Sequence, residues 1–292
     1  MRKLIPFLFI MLVFASCGNS YKENQRISRA ERARIDSIDR ASFKIGVLPT
    51  LDCLPIYVAY SENLFDTLGV EVHIKPFTAQ MDCDTALIGG SVEGSITDLI
   101  RARHLQEQGV GLDCSISTNT YWQLITNRLS RIKSLDQLSD KMIAITRNSA
   151  TDYLADIAIK RGKPKYDCYR IQINDIYIRL AMLRNNEMDA MLLTEPQATT
   201  ARLLNNPVLL DSRDLKENLG AFAFRTKIYR DKRRREQYRK FVKAYNMACD
   251  SINKNGLQHY AALISKYMGA DERTIKALPK LRFQHASRPI RN

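Results

Sequence analysis

The stretch Phe43-Lys-Ile-Gly-Val-Leu-Pro-Thr-Leu-Asp-Cys-Leu-Pro-Ile-Tyr57 constrains the fold more than any other part of this chain. Phe43 to Leu48 alternate and carry β-branched residues, which suits a strand, and Pro49 cannot donate to a ladder, so the strand should stop there. A polar loop from Thr50 to Leu54 follows. Pro55 then sits where the first turn of a helix tolerates a missing N–H, and Ile56, Ala59 and Tyr60 continue at helical spacing. In an open α/β sheet, a loop between strand and helix lies outside the carboxyl end of the strand, where ligands collect.

The same alternation recurs along the chain. Glu71 to Phe77 predicts a second strand, with Asp82 and Asp84 in the loop after it and a short helix and turn from Leu87 to Gly94. Gly94 to Asp98 reads as a strand feeding a helix over Leu99 to Gln108, and Cys114 to Thr118 as a fourth strand. Tyr121 to Asn127 predicts a strand leaving this first unit, and a new unit opens near Ser134. Met142 to Thr146 is a buried strand; Ser149 to Asp152 then matches the Ser-x-x-acid capping signal, and Gly162 with Pro164 stops the helix. Cys168 to Ile173, a helix over Asp175 to Asn186 and a strand over Met188 to Leu193 repeat the pattern, leaving Glu195 at a strand's carboxyl end before Pro196. Val208 to Leu210 and Gly220 to Phe224 are further strands, the latter crossing back. Arg233 to Asn255, Leu257 to Met268 and Asp271 to Leu278 read as amphipathic helices. Strands alternating with helices predict an α/β fold with mostly parallel sheets and right-handed crossovers.

The N-terminus has Arg2 and Lys3, an uncharged run from Leu4 to Ala15, and then Ser16-Cys17-Gly18. That run is too short to span a bilayer and suits the apolar region of a secretory leader. The junction resembles a bacterial lipoprotein signal over 1–17, in which Cys17 becomes the lipidated, palmitate-bearing N-terminus; a plain signal peptide cut elsewhere is the alternative. Residues 18–42 form a charged tether. The net charge is +14, much of it between Arg225 and Lys243. A nucleic-acid partner would want base-stacking aromatics in a groove and a cytosolic address, the export signal argues against both, and the basic run reads as a solvated helix face. Without Cys17, the cysteines Cys53, Cys83, Cys114, Cys168 and Cys249 are odd in number and form no CxxC pair, which suits buried thiols better than zinc. The histidines are scattered and adjoin no nucleophile motif, and no phosphate loop is present, so no cofactor is expected.

Three segments carry a family likeness: Lys44-Ile-Gly-Val47 with Leu54-Pro-Ile-Tyr-Val-Ala59, Arg147-Asn-Ser-Ala-Thr151, and Leu193-Thr-Glu-Pro-Gln-Ala-Thr199. In that order they resemble the type 2 solute-binding proteins of ABC importers, in the group of sulfonate, nitrate and thiamine-precursor binders. The resemblance implies two α/β lobes joined by two crossing strands, at 43–122 plus 215–292 and at 123–214, closing by a hinge. It implies ligand positions at Asp52, Cys53 and Leu54, at Ser149 and Thr151, and at Glu195. Asp98 joins them as a strand-end acid and Tyr57 as a stacking ring. Each also has a plainer reading: Ser149 and Thr151 as helix caps, Glu195 paired with an arginine, Cys53 as a small filler, and Tyr57, Tyr121 and Trp122 as core aromatics. The implied protein is a monomeric, membrane-anchored lipoprotein of the bacterial cell envelope that passes a small metabolite to an ABC permease and is not an enzyme. The alternatives are a secreted enzyme of the same fold, pyrimidine-synthase-like or menaquinone-pathway-like, or a structural surface lipoprotein; the cysteine-rich motif of the pyrimidine synthases is missing. Asp52, Asp98 and Glu195 against Arg147 favour a ligand with an amino or protonated ring nitrogen, while Ser149, Thr151 and Arg147 form a competing acid-binding nest.

Overall fold

The computed structural model of the chain describes residues 28, 29, 31–34, 37–39, 41–215 and 218–289. The expected leader and its Cys17 lie outside them. The chain divides into two compact units, residues 1–41 and 42–292. In the first, the described residues are helical, and exposed Arg34 pairs with Glu31 at 3.2 Å. The site lies in the second unit.

The second unit opens with β1 (Phe43–Val47), a 3₁₀ turn over Leu51–Cys53 and α1 (Leu54–Ser61), with Pro55 in the helix's first turn. Next come α2 (Leu64–Thr67), β2 (Val72–Pro76), α3 (Gln80–Gly89), β3 (Gly94–Asp98), α4 (Leu99–Glu107) and β4 (Leu112–Ser117). β5 (Gln123–Thr126), β6 (Met142–Ile145), α5 (Ala150–Gly162), β7 (Tyr169–Gln172), α6 (Ile176–Arg184), β8 (Ala190–Leu193), α7 (Gln197–Leu203) and β9 (Val208–Asp211) follow. β10 (Gly220–Arg225), α8 (Lys232–Asn255), α9 (Ala261–Met268) and α10 (Glu272–Ala277) complete the unit. One expectation fails. Helix α3 starts at Gln80, so Asp82 and Asp84 are helical rather than in a loop. Asp84 is buried on the same face as Cys83 and Leu87, and an acid within the buried stripe hides its apolar period.

Among the described residues the strands form two five-stranded sheets, ordered β2-β1-β3-β10-β4 and β7-β6-β8-β5-β9. In each, four strands share one direction and one inserted strand runs antiparallel to both its neighbours: β10 against β3 and β4, and β5 against β8 and β9. The inserted strand is the one the chain enters after crossing from the other sheet. The two crossing segments hold each other, since Trp122 N donates to Ser212 Oγ at 3.0 Å and Ser212 N to Trp122 O at 2.9 Å.

Each sheet has its own core. Around the first, Phe43, Phe222, Phe224 and Phe241 pack ring on ring, with centroids 5.3 to 6.3 Å apart. Phe241 comes from α8, which buries Phe241, Ala244, Tyr245, Ala248 and Ile252 at helical spacing, while Arg233, Arg235 and Arg239 on its other face are exposed. Around the second, Leu124, Ile143, Ile145, Leu154, Ala158 and Leu192 are fully buried. The five cysteines of this unit are free thiols.

Candidate ligand-binding site

The carboxyl ends of β1, β3, β6 and β8 converge on a cavity of about 60 Å³ between the two sheets. Leu48, Thr50, Asp52, Gln80, Thr97, Asp98 and Thr120 line it from the first lobe, and Thr146, Ser149, Thr151, Asn174 and Arg179 from the second. Trp122, Ile96, Ile176, Leu192 and Leu193 supply apolar wall. The lobes meet around the cavity. Leu51 N donates to Glu195 O at 2.8 Å, Ile176 N to Thr78 O at 3.0 Å, Gln197 Nε2 to Pro49 O at 2.9 Å and Arg101 Nη1 to Arg147 O at 3.2 Å. The cleft is therefore closed in this structure.

The first lobe's wall is acidic. Asp52 is placed by the 3₁₀ turn that follows the Pro49 strand stop, and only 6% of it is exposed. Its Oδ2 accepts from the Thr118 hydroxyl at 3.3 Å and from the Thr120 hydroxyl. Its Oδ1 is buried and has no partner among the described residues. Burial raises its pKa, against the hydroxyls of Thr120, Thr50 and Thr118, which stabilise the charged form. Asp98, at the end of β3, caps α4 by accepting from Arg101 N at 2.8 Å. The Ala150 backbone N–H at the start of α5, across the cleft, also favours its charged form, but burial outweighs both and pushes its carboxyl up to about 6. Behind it, buried Asp84 pairs with Arg101 at 2.5 Å.

On the second lobe, the residues that cap α5 are occupied by their own loop. Ser149 Oγ donates to Thr146 O at 2.7 Å and accepts from Thr151 N at 3.2 Å, while Thr151 Oγ1 accepts from Thr146 N at 2.8 Å. Thr151 N is thus held by Ser149, and the Asp98 carboxylate lies near enough to the Ala150 N–H to be stabilised by it, so this helix N-terminus already has an acid of the protein beside it. The wall's cation is Arg179 from α6, 4% exposed, which donates to Ile173 O at 2.6 Å, Leu192 O at 3.1 Å and Thr146 Oγ1 at 2.5 Å. No carboxylate lies within ion-pairing distance of it among the described residues. Burial lowers its pKa to about 10, with Asp175 acting the other way.

Of the residues singled out in the sequence, Asp52, Asp98, Ser149 and Thr151 line the cavity. Cys53 and Leu54 are fully buried in the first lobe's core, and Tyr57 stacks on Tyr267 with centroids 4.0 Å apart. Glu195 is 1% exposed and sits outside the lining. Its carboxylate accepts from Tyr121 Oη at 2.5 Å, Thr199 N and Oγ1 at 3.0 and 2.6 Å, and Arg202 Nη2 at 2.8 Å. Arg147 is exposed. Sequence reasoning missed Gln80, Thr120, Asn174 and Arg179. A signal for Arg179 was present: it falls three residues after Ile176 and four before Leu183, on the helix's apolar stripe, where a charge needs a reason. Among the described residues, no group of three or more His, Cys, Asp or Glu is arranged to hold a metal, and no helix is long and apolar enough to cross a membrane.

No curated protein matches the sequence significantly. Among solved structures, the chain is similar to the alkanesulfonate-binding protein SsuA from Xanthomonas axonopodis pv. citri bound to MOPS, with a TM-score of 0.69, 17% identity and coverage of 84% of this chain and 86% of that one. It is similar to the ligand-binding component of an ABC-type import system from Staphylococcus aureus with zinc bound, at TM-score 0.67, 15% identity and 80% and 81% coverage. The periplasmic nitrate-binding protein NrtA from Synechocystis PCC 6803 gives a TM-score of 0.66, 12% identity and 80% and 68% coverage. Likenesses this distant in sequence speak for the fold, two lobes around a cleft, which the paired sheets here share. The NMT1/THI5-like family model matches residues 50–255, a span that takes in β2 to β10 and every residue lining the cavity except Leu48, and the chain belongs to that family with a type 2 periplasmic-binding-protein fold.

Proposed function

We propose that this protein is the extracytoplasmic substrate-binding lipoprotein of an ABC importer. It captures a small organic metabolite between its lobes and delivers it to the permease, held at the membrane by lipid on Cys17. The observation that carries the reading is the closed cavity lined by Asp52, one of whose carboxylate oxygens, Oδ1, is buried without a partner among the described residues. A buried acceptor left unbonded costs about 1–3 kcal/mol, and more when charged, so a donor from a solute is a gain no side chain supplies. An amino group or protonated ring nitrogen meets that need, and Trp122 offers an indole face to a flat ring such as a pyrimidine. Clefts between lobes are where small-molecule sites concentrate.

The test is denaturation with and without a metabolite library. A ligand at 100 times its Kd adds about 2.7 kcal/mol of stability; a structural lipoprotein would respond to none, and an enzyme would return the stabilising compound chemically altered. Fractionation of a Cys17→Ala variant checks the anchor: protein still membrane-bound with its leader removed would refute it.

A further inference from the structure

Two charged groups in the cavity wall face demands that the protein does not meet itself. One is Asp52, with an unbonded, fully buried oxygen on the first lobe. The other is Arg179 on the second lobe. A guanidinium has five N–H donors; Ile173 O, Leu192 O and Thr146 Oγ1 engage three of them, and every one of these acceptors is neutral. An arginine this deeply buried normally pairs with a carboxylate, because desolvating an isolated charge costs several kcal/mol. Asp52 is not that partner. No ion pair joins them, and Asp175 is the only charged group that shifts the Arg179 pKa. The two charges therefore stand apart, on opposite lobes, with the cavity between them.

The other acids nearby are already bound. Asp98 holds the N–H of Arg101, and Asp84 holds the Arg101 side chain. The helix N-terminus at Ala150, the usual seat for an anion, already has the Asp98 carboxylate beside it. An acidic group entering this cavity thus finds its free donors on Arg179, and a donor entering it finds its free acceptor on Asp52.

We propose that the cleft selects a small zwitterion, its acidic group on Arg179 and its amino group on Asp52. This rests on the solute-binding reading and narrows it. Bridging the lobes, such a ligand satisfies both walls only when the cleft shuts, so its two charges couple binding to closure. The apolar residues between, Leu48, Ile96, Leu192 and Trp122, contact the body that separates the charges. The carboxylate and sulfonate versions share this chemistry.

The probes are ω-amino carboxylates, ω-aminosulfonates and α-amino acids, each set against the alkylamine and the alkyl acid of matched length. Binding to the wild-type protein is measured by thermal shift and then by calorimetry. At least one zwitterion should bind, and its two singly charged counterparts should bind tenfold or more weakly. Arg179→Lys, which keeps the charge but loses the fork, and Asp52→Asn should each weaken the zwitterion by tenfold or more. A best ligand that is neutral or singly charged would overturn the proposal while leaving the solute-binding function standing. Affinity unchanged by both substitutions would do the same. If neither these probes nor the metabolite library stabilises the protein, both readings fall together. The wild-type comparison needs no variant, so it decides the matter even if Arg179→Lys does not fold.

Discussion

Burial of the cleft's acids has a consequence for stability at the scale of single residues. Asp98 titrates near 6 in the folded protein against about 3.9 unfolded. The native state therefore binds the extra proton between those values, and stability falls as pH rises through that window, on the order of 3 kcal/mol. Asp52 and Asp84, also raised by burial, act in the same direction. Urea titrations of the ligand-free protein from pH 4 to 7 should show this decline, and Asp98→Asn should flatten it; an unchanged slope would contradict the assignment. Outside the cavity lining, the Glu195 carboxylate is bonded by Tyr121, Thr199 and Arg202. Glu195→Gln should cost about 1–3 kcal/mol in melts while leaving ligand affinity within a few-fold. Asp52 and Asp98 were legible in the sequence because strand ends can be located from local pattern. Arg179 was not, because a helix period says which face is buried but not that the burying surface is a cleft. Tyr57 was read toward the ligand, yet its ring meets Tyr267, a contact between distant parts of the chain that no local spacing encodes.

Among the elements, the crossing strand β10 bears most directly on the site. Gly220 begins it, and a Cβ there would lie 2.3 Å from Thr118 Oγ1 and 2.8 Å from Thr120 Cβ. Those two threonines supply the hydroxyls that hold Asp52. Gly220→Ala should therefore displace both and lower stability by about 1–3 kcal/mol as overpacking, and it should weaken solute binding even though residue 220 does not line the cavity. A wild-type melting curve and affinity would show that the threonines yield at no cost. Helix α5 was legible to the residue at its start, because a Ser cap, an acid three positions on and an apolar stripe agree. Helix α3 was not, since Asp84 sits in its buried face to meet Arg101 from a different element.

For the whole molecule, alternation of strands and helices made two α/β lobes legible, while the order of strands within each sheet emerged only with the structure, because pairing partners lie far apart in sequence. Solution scattering should show the ligand-free protein more extended than the closed form, with compaction when a solute binds; an unchanged radius despite proven binding would mean a preformed cavity. Four of the bonds between the lobes share one property: Glu195, Thr78, Pro49 and Arg147 all accept through main-chain carbonyls. A carbonyl is present whatever the side chain, so these acceptors persist through mutation at their own positions. The side chains facing the cavity have no such protection. Substitution can thus exchange what is recognised while leaving the shut conformation intact, so that a transporter docking on that conformation would receive the same signal from descendants with different cargo.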